Sequence, residues 1–200
     1  MAVGVRFGPV MLNAGFAETL VRARSGDERA FVRIYGDLQP ALLRYSQAHA
    51  PRLAEDNTAE VWLQVTRALS RFVGEEQEFR AWIFAIARNK VIDQARQQAR
   101  RPMILLADTD KINGNGHDTR DVAEDYEDDE ATRRALALVR RLPPAQADVI
   151  LLRVIAGLDF AYIARLLGKT PGAVRVLLHR GLRRLAGMLS EQLTTDGVSR

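Results

Sequence analysis

Two hundred residues, 47% apolar and 27% charged, make an ordinary globular chain of one or two domains. With no cysteine there are no disulfides or thiolate metal sites, and His49, His117 and His179 stand too far apart in sequence to suggest a metal cluster. The net charge of +4 conceals a basic stretch 1–106 (15 Lys and Arg against 11 Asp and Glu), an acidic 107–130 (2 against 10) and a basic 131–200 (12 against 4). Two basic blocks joined by an acidic strap suggest two polyanion-binding modules. No apolar run approaches the roughly 18 residues that span a bilayer, and 1–16 lacks the apolar core of a signal peptide. The composition therefore predicts a cytoplasmic protein with no cofactor, no metal, no catalytic residues and no membrane insertion.

Proline and glycine punctuate an otherwise helical pattern, and no stretch alternates with period two, so no sheet is expected. Predicted helices cover 17–24, 28–48 (with Pro40 as the point where it can bend), 54–72, 79–100, 130–140, 145–156, 160–167 and 172–191. The fold class is all-α, with an N-terminal helical bundle (17–101) and a C-terminal helix-turn-helix domain (131–191). A flexible acidic linker (102–130) joins them, and tails occupy 1–16 and 192–200.

In the helix 54–72, Val61, Leu63, Val65, Ala68, Leu69 and Phe72 are available for packing. Glu55, Asp56 and Glu60 crowd its first turns, where the helix dipole favours negative charge; they could equally present an acidic docking face to a basic protein. No histidine or third carboxylate is spaced to turn Asp56 and Glu60 into a catalytic or metal site. The helix 79–100 starts nearly apolar all round, with Phe79, Ile83, Phe84, Ile86, Ala87 and Val91, as a central bundle helix should. Trp82, Asn89, Asp93, Arg96 and Arg100 line up on a second face. A ring that can stack on a base, an amide that can read a base edge and arginines for phosphates suit nucleic acid.

The linker holds a short apolar piece (103–107), the run Asn113-Gly114-Asn115-Gly116 and then mostly acids, a composition that cannot bury a core. Fully extended, residues 102–129 would reach about 90–100 Å. Beyond it, GLDFAYIARLLGKTPGAVRVLLHRGLRRL reads as a short helix, a glycine turn and a second helix. Asp159 is placed as first N-cap, Gly168 as the left-handed stop, Thr170 as second N-cap and Pro171 as first-turn residue. Val174, Leu178, Gly181, Leu182 and Leu185 share one face of the second helix, while Arg175, His179, Arg180, Arg183 and Arg184 surround the other. No acid occurs between Asp159 and Glu191. Such a helix is built to lie in a DNA major groove.

Taken together, these segments resemble the extracytoplasmic-function (ECF) sigma factors, the minimal bacterial class, which keep regions two and four joined by a linker. SGDERAFVRIYGDLQPALLRY resembles the opening of region two, AEDNTAEVWLQV its polymerase-docking helix, and FRAWIFAIARNKVIDQARQQAR the part that recognises and melts the −10 element. The stretch from ALALVRRLPPAQ to HRGLRRL resembles region four, whose helix-turn-helix reads the −35 element. The resemblance implies that Asp56, Glu60 and Trp62 face the β′ clamp helices of core RNA polymerase. It places Trp82, Arg88, Asn89, Lys90, Asp93 and Arg96 at the −10 surface, and Lys169, Thr170, Arg175, Val176, His179 and Arg180 on the −35 duplex. Implied partners are core polymerase (β′ clamp helices and β flap), promoter DNA and an anti-sigma factor. Implied localisation is the bacterial cytoplasm, at the nucleoid when bound to polymerase.

The sequence departs from the family at three places: Ala59 where glutamine is common, Glu75, Glu76 and Glu78 in the loop 73–78, and Val176-Leu177 where serine-arginine is frequent. Three acids in that loop should repel phosphates. The rival reading is a stand-alone helix-turn-helix repressor or response-regulator-like protein, with the N-terminal helices as a dimerisation or ligand module and a palindromic site.

Overall fold

The computed structural model describes the backbone of residues 15–100 and 122–198, and the side chains of 15–97 and 130–191. The expectations for the tail 1–14, the apolar piece 103–107 and the run 113–116 lie outside the described residues. Every regular element among those described is helical, as expected. The order is α1 (Phe16–Arg24), α2 (Glu28–His49), a 3-10 turn (Pro51–Leu53), α3 (Ala54–Ala68), a second 3-10 turn (Leu69–Arg71), α4 (Glu76–Arg100), α5 (Val122–Arg140), α6 (Pro144–Ile150), a π-turn (Leu151–Ile155), α7 (Phe160–Leu167) and α8 (Pro171–Val198).

Local chemistry sets the boundaries. Asp27 caps α2 by accepting from the N–H groups of Arg29 (2.9 Å) and Ala30 (3.1 Å), while Arg22 holds its other oxygen at 2.6 Å. The Ala30 amide first, and then Arg22, hold the Asp27 carboxyl below its ordinary range. α2 continues as one helix through Pro40.

Ile34, Leu38, Leu42 and Tyr45 of α2 recur every three or four residues and are fully buried. They face Val61 and Val65 of α3 and Phe79, Ile83, Phe84 and Ala87 of α4, all buried. Leu63, expected to pack, is 54% exposed instead, because the inward face of α3 is filled by Val61, Trp62 and Val65.

In the C-terminal module, α6 does not run on as an α-helix to residue 156. The Ala156 N–H reaches back five residues to the Leu151 carbonyl (3.1 Å), and Leu158 N–H bonds Leu152 O at 3.0 Å. Gly157 then turns the chain at φ 67°. Asp159 sits at the N-cap of α7, but its carboxylate accepts from Arg153 Nη1 (3.2 Å) rather than from the amides of α7. Gly168 (φ 63°) ends α7 and Thr170 caps α8, its Oγ1 accepting from Ala173 N–H at 3.2 Å, both as expected.

Two further boundaries move. α5 begins at Val122, inside the strap expected to lack structure. α8 continues to Val198, into the tail expected from 192.

The two helical modules also touch each other. α2 packs on α5 and on the π-turn, α4 packs on α7, and the two cores merge into one cluster.

Candidate nucleic-acid interface

The N-terminal turn of α4 makes its own cap. The Glu75 N–H donates to Glu78 Oε2 at 3.0 Å, Phe79 N–H donates to Glu75 O at 2.9 Å, and Glu76 pairs with Arg80 at 3.1 Å. Glu76 and Glu78 are thus engaged by their own helix. Glu78 also accepts from the Tyr162 hydroxyl of α7, a bond that holds the Glu78 carboxyl low and raises the Tyr162 phenol.

Beyond that turn α4 presents its second face. Trp82 is half-buried, with its ring stacked on Phe72 (5.1 Å between centroids, 28° between planes) and tilted against Phe79. Phe72 occupies one face of the indole, which leaves at most the other for a base. Asn89, Asp93 and Arg96 are exposed along one edge, with Arg96 Nη1 3.5 Å from Asp93 Oδ1. Asn89 and Asp93 line a groove of about 300 Å³ together with Gln64, Ile86, Lys90 and Gln94. The Arg100 side chain lies outside the described residues.

Lys90 is paired with Glu60 of α3, so a residue expected on DNA is joined to one expected on polymerase. Arg88 does not join the groove's polar edge. Its Nε lies 3.1 Å from Asp148 Oδ2 in α6, and it stands in the seam between the modules. Sequence reasoning missed Gln64, Asn57 and Gln94. Asn57 and Gln94 exchange amide hydrogen bonds, with Asn57 Nδ2 donating to Gln94 Oε1 at 2.9 Å. The i, i+4 step from Lys90 to Gln94 was the available signal.

Asp56 and Glu60 are exposed on α3, as a docking face requires. Trp62 is not: it is 6% exposed, between Phe31 and Tyr35, with Nε1–H donating to Gln39 Oε1 at 2.7 Å. An indole cannot leave that site without losing both its apolar contacts and its acceptor, so Trp62 supports the face from behind. Exposed Tyr35 packs on it from outside.

On the C-terminal module, Lys169, Thr170, Arg175, Val176, His179 and Arg180 are all exposed, and Val174 is fully buried behind them. Leu182, assigned to the packing face, is 47% exposed; Leu177 and Leu178 are half-buried. Arg175 is positioned by a ring, its guanidinium 5.1 Å from the Phe160 centroid, and Arg153 lies at the same distance. The outcome is a helix end with cations, no acid and one exposed valine, able to meet phosphates, base edges and a thymine methyl. Among the described residues no group of three His, Asp or Glu is placed to hold a metal, and no helix is long and apolar enough to cross a membrane.

Residues 34–101 match the family model described as Sigma-70 region 2, and residues 132–185 match Sigma-70, region 4. The chain is 32% identical over 185 residues to the ECF RNA polymerase sigma factor BldN of Streptomyces coelicolor, covering 90% of this chain and 67% of that protein. It is 34% identical over 178 residues to ECF RNA polymerase sigma factor ShbA of Streptomyces griseus, covering 86% and 93%. Among solved structures its fold is similar to CnrH in complex with the cytosolic domain of CnrY, with TM-score 0.62 and 23% identity over 89% of this chain and 99% of that one. It is also similar to the sigma factor RpoE from Bartonella quintana, in complex with the anti-sigma factor NepR (TM-score 0.60, 19% identity, 80% and 96% covered).

Proposed function

The chain belongs to the ECF RNA polymerase sigma factors, and from that membership we propose how its residues divide the work of transcription initiation. Asp56 and Glu60, backed by buried Trp62, offer the β′ clamp helices an acidic face. α8 carries the −35 contacts, with Arg175 and Arg180 for guanine or phosphate and Val176 for a thymine methyl. The α4 groove around Asn89 holds an unstacked −10 base, with Trp82 at its flank and Arg96 toward the backbone. The chain performs no chemistry itself; it directs polymerase to a bipartite promoter and traps melted DNA. It acts in the cytoplasm, at the nucleoid while bound to polymerase. Regulation by an anti-sigma factor follows the example of RpoE with NepR.

The observation that carries this reading is the pairing, in one chain, of an amide-lined groove on a central bundle helix with a reading helix that carries no acid from 171 to 190. The stand-alone repressor is not favoured: it needs N-terminal helices unrelated to sigma factors, and these match region 2. Run-off transcription with purified core polymerase, with and without this protein, tests the assignment. New specific transcripts should appear, and Arg175→Ala should weaken promoter use by about tenfold or more, as loss of a ~1–3 kcal/mol base contact implies. Asn89→Ala should impair opening at the −10 element. No transcripts, together with tight duplex binding by the protein alone, would overturn it.

A further inference from the structure

Residues 131–158 contain a single acid, Asp148, among five arginines, and it faces the other module. Its carboxylate is 14% exposed and lies between Arg88 Nε of α4 (3.1 Å) and His49 Nε2 of α2 (3.3 Å, at an angle short of a hydrogen bond). His49 in turn packs on the ring of fully buried Tyr45 (4.8 Å). Around this triad the seam is stitched by two backbone carbonyls and a carboxylate. Arg80, 1% exposed, donates Nη1–H to Ala156 O at 3.2 Å; Arg140 donates to Gln47 O at 3.1 Å; the Tyr162 hydroxyl donates to Glu78. Arg88, Asn89, Tyr162 and Arg165 share a cleft of about 450 Å³ along it.

We propose that Asp148 latches the free protein in a self-closed state, in which the −35 module is seated on the −10 helix and a carboxylate takes the place on Arg88 that a DNA phosphate would fill. The latch stands on this geometry alone; its consequence for transcription rests on the sigma-factor reading. Elements at −10 and −35 are about 25 base pairs apart, or about 85 Å along B-DNA. A compact chain of this length is only about 40 Å across. The closed form therefore cannot touch both elements of a straight promoter, and the seam must open before both are read. An ion pair between a carboxylate and a guanidinium, closed in by an imidazole, suits that role, because removing one charged partner leaves the other poorly solvated and unpaired.

The chain has no cysteine, so spin labels can be placed at will on exposed sites of each module, with Arg52→Cys and Arg184→Cys read by double electron–electron resonance. The latched protein should give one short, narrow distance. Asp148→Arg should lower the closed-to-open ratio by about tenfold or more and broaden the distribution to long distances. Adding Arg88→Asp should restore the narrow peak. Should Asp148→Arg lose helicity, Asp148→Ala combined with Tyr162→Phe serves with the same expectation. A broad distribution in the unaltered protein, or a narrow one that survives loss of Asp148, would overturn the latch whatever transcription shows. Failure of the unaltered protein to support transcription would overturn the sigma-factor reading and leave the distances standing.

Discussion

Trp62 buries its indole between Phe31 and Tyr35 while its N–H keeps an acceptor in Gln39, so it contributes through packing and through a hydrogen bond. Trp62→Ala should destabilise the protein by about 3–5 kcal/mol. Trp62→Phe, which keeps a ring and loses the bond, should cost about 1 kcal/mol beyond the smaller ring's packing loss; urea unfolding measures both. Asp148 predicts a pH dependence. Burial pushes its carboxyl up, but His49 and Arg88 packed against it outweigh that and hold it below its ordinary value. A carboxyl depressed on folding contributes stability that is complete above its unfolded pKa, about 4, and is lost as pH falls through the lower folded value. Stability followed from pH 7 into that acid range should therefore fall less in Asp148→Asn than in the unaltered protein. An equal fall in both would mean that other carboxyls carry the acid sensitivity.

At the scale of an element, Gly181 and Gly187 are both interior glycines of α8 that a propensity scale would treat alike. A Cβ on Gly181 would lie 2.7 Å from Ile150 Cδ1 and 3.3 Å from Gln146 Cβ, both on α6, whereas one on Gly187 would meet nothing within 4 Å. Alanine gains about 0.5–1 kcal/mol over glycine within a helix, and overpacking a tight contact costs about 1–3. Gly187→Ala should therefore raise stability by about 0.5–1 kcal/mol, and Gly181→Ala should lower it by about 1 kcal/mol. Thermal unfolding of the pair checks the opposite signs; a gain in both would mean that α6 yields to α8. The 3.6-residue period showed that Gly181 lies on the packing side. It could not show how close α6 comes, nor that α6 ends in a π-turn, since i, i+5 bonding leaves no mark in hydrophobic spacing.

For the whole molecule, the connection between α4 and α5 sets how far the modules can part. Shortening 101–121 to about five residues would limit its reach to about 17 Å, far less than the spacing of the promoter elements. Run-off transcription should then drop to background while helical content by circular dichroism holds; undiminished transcription would show that the connection's length is not needed. The sequence by itself determined the all-α class, most helix positions, the helix-turn-helix and its acid-free face, because these follow from local periodicity, caps and charge order. Only the tertiary structure decided that Trp62 turns inward and that Arg88 leaves the groove for Asp148. It alone decided, too, that the two modules close on each other. These depend on contacts between residues far apart in the chain (60 positions from Arg88 to Asp148), and no local pattern encodes which distant surface a side chain will meet.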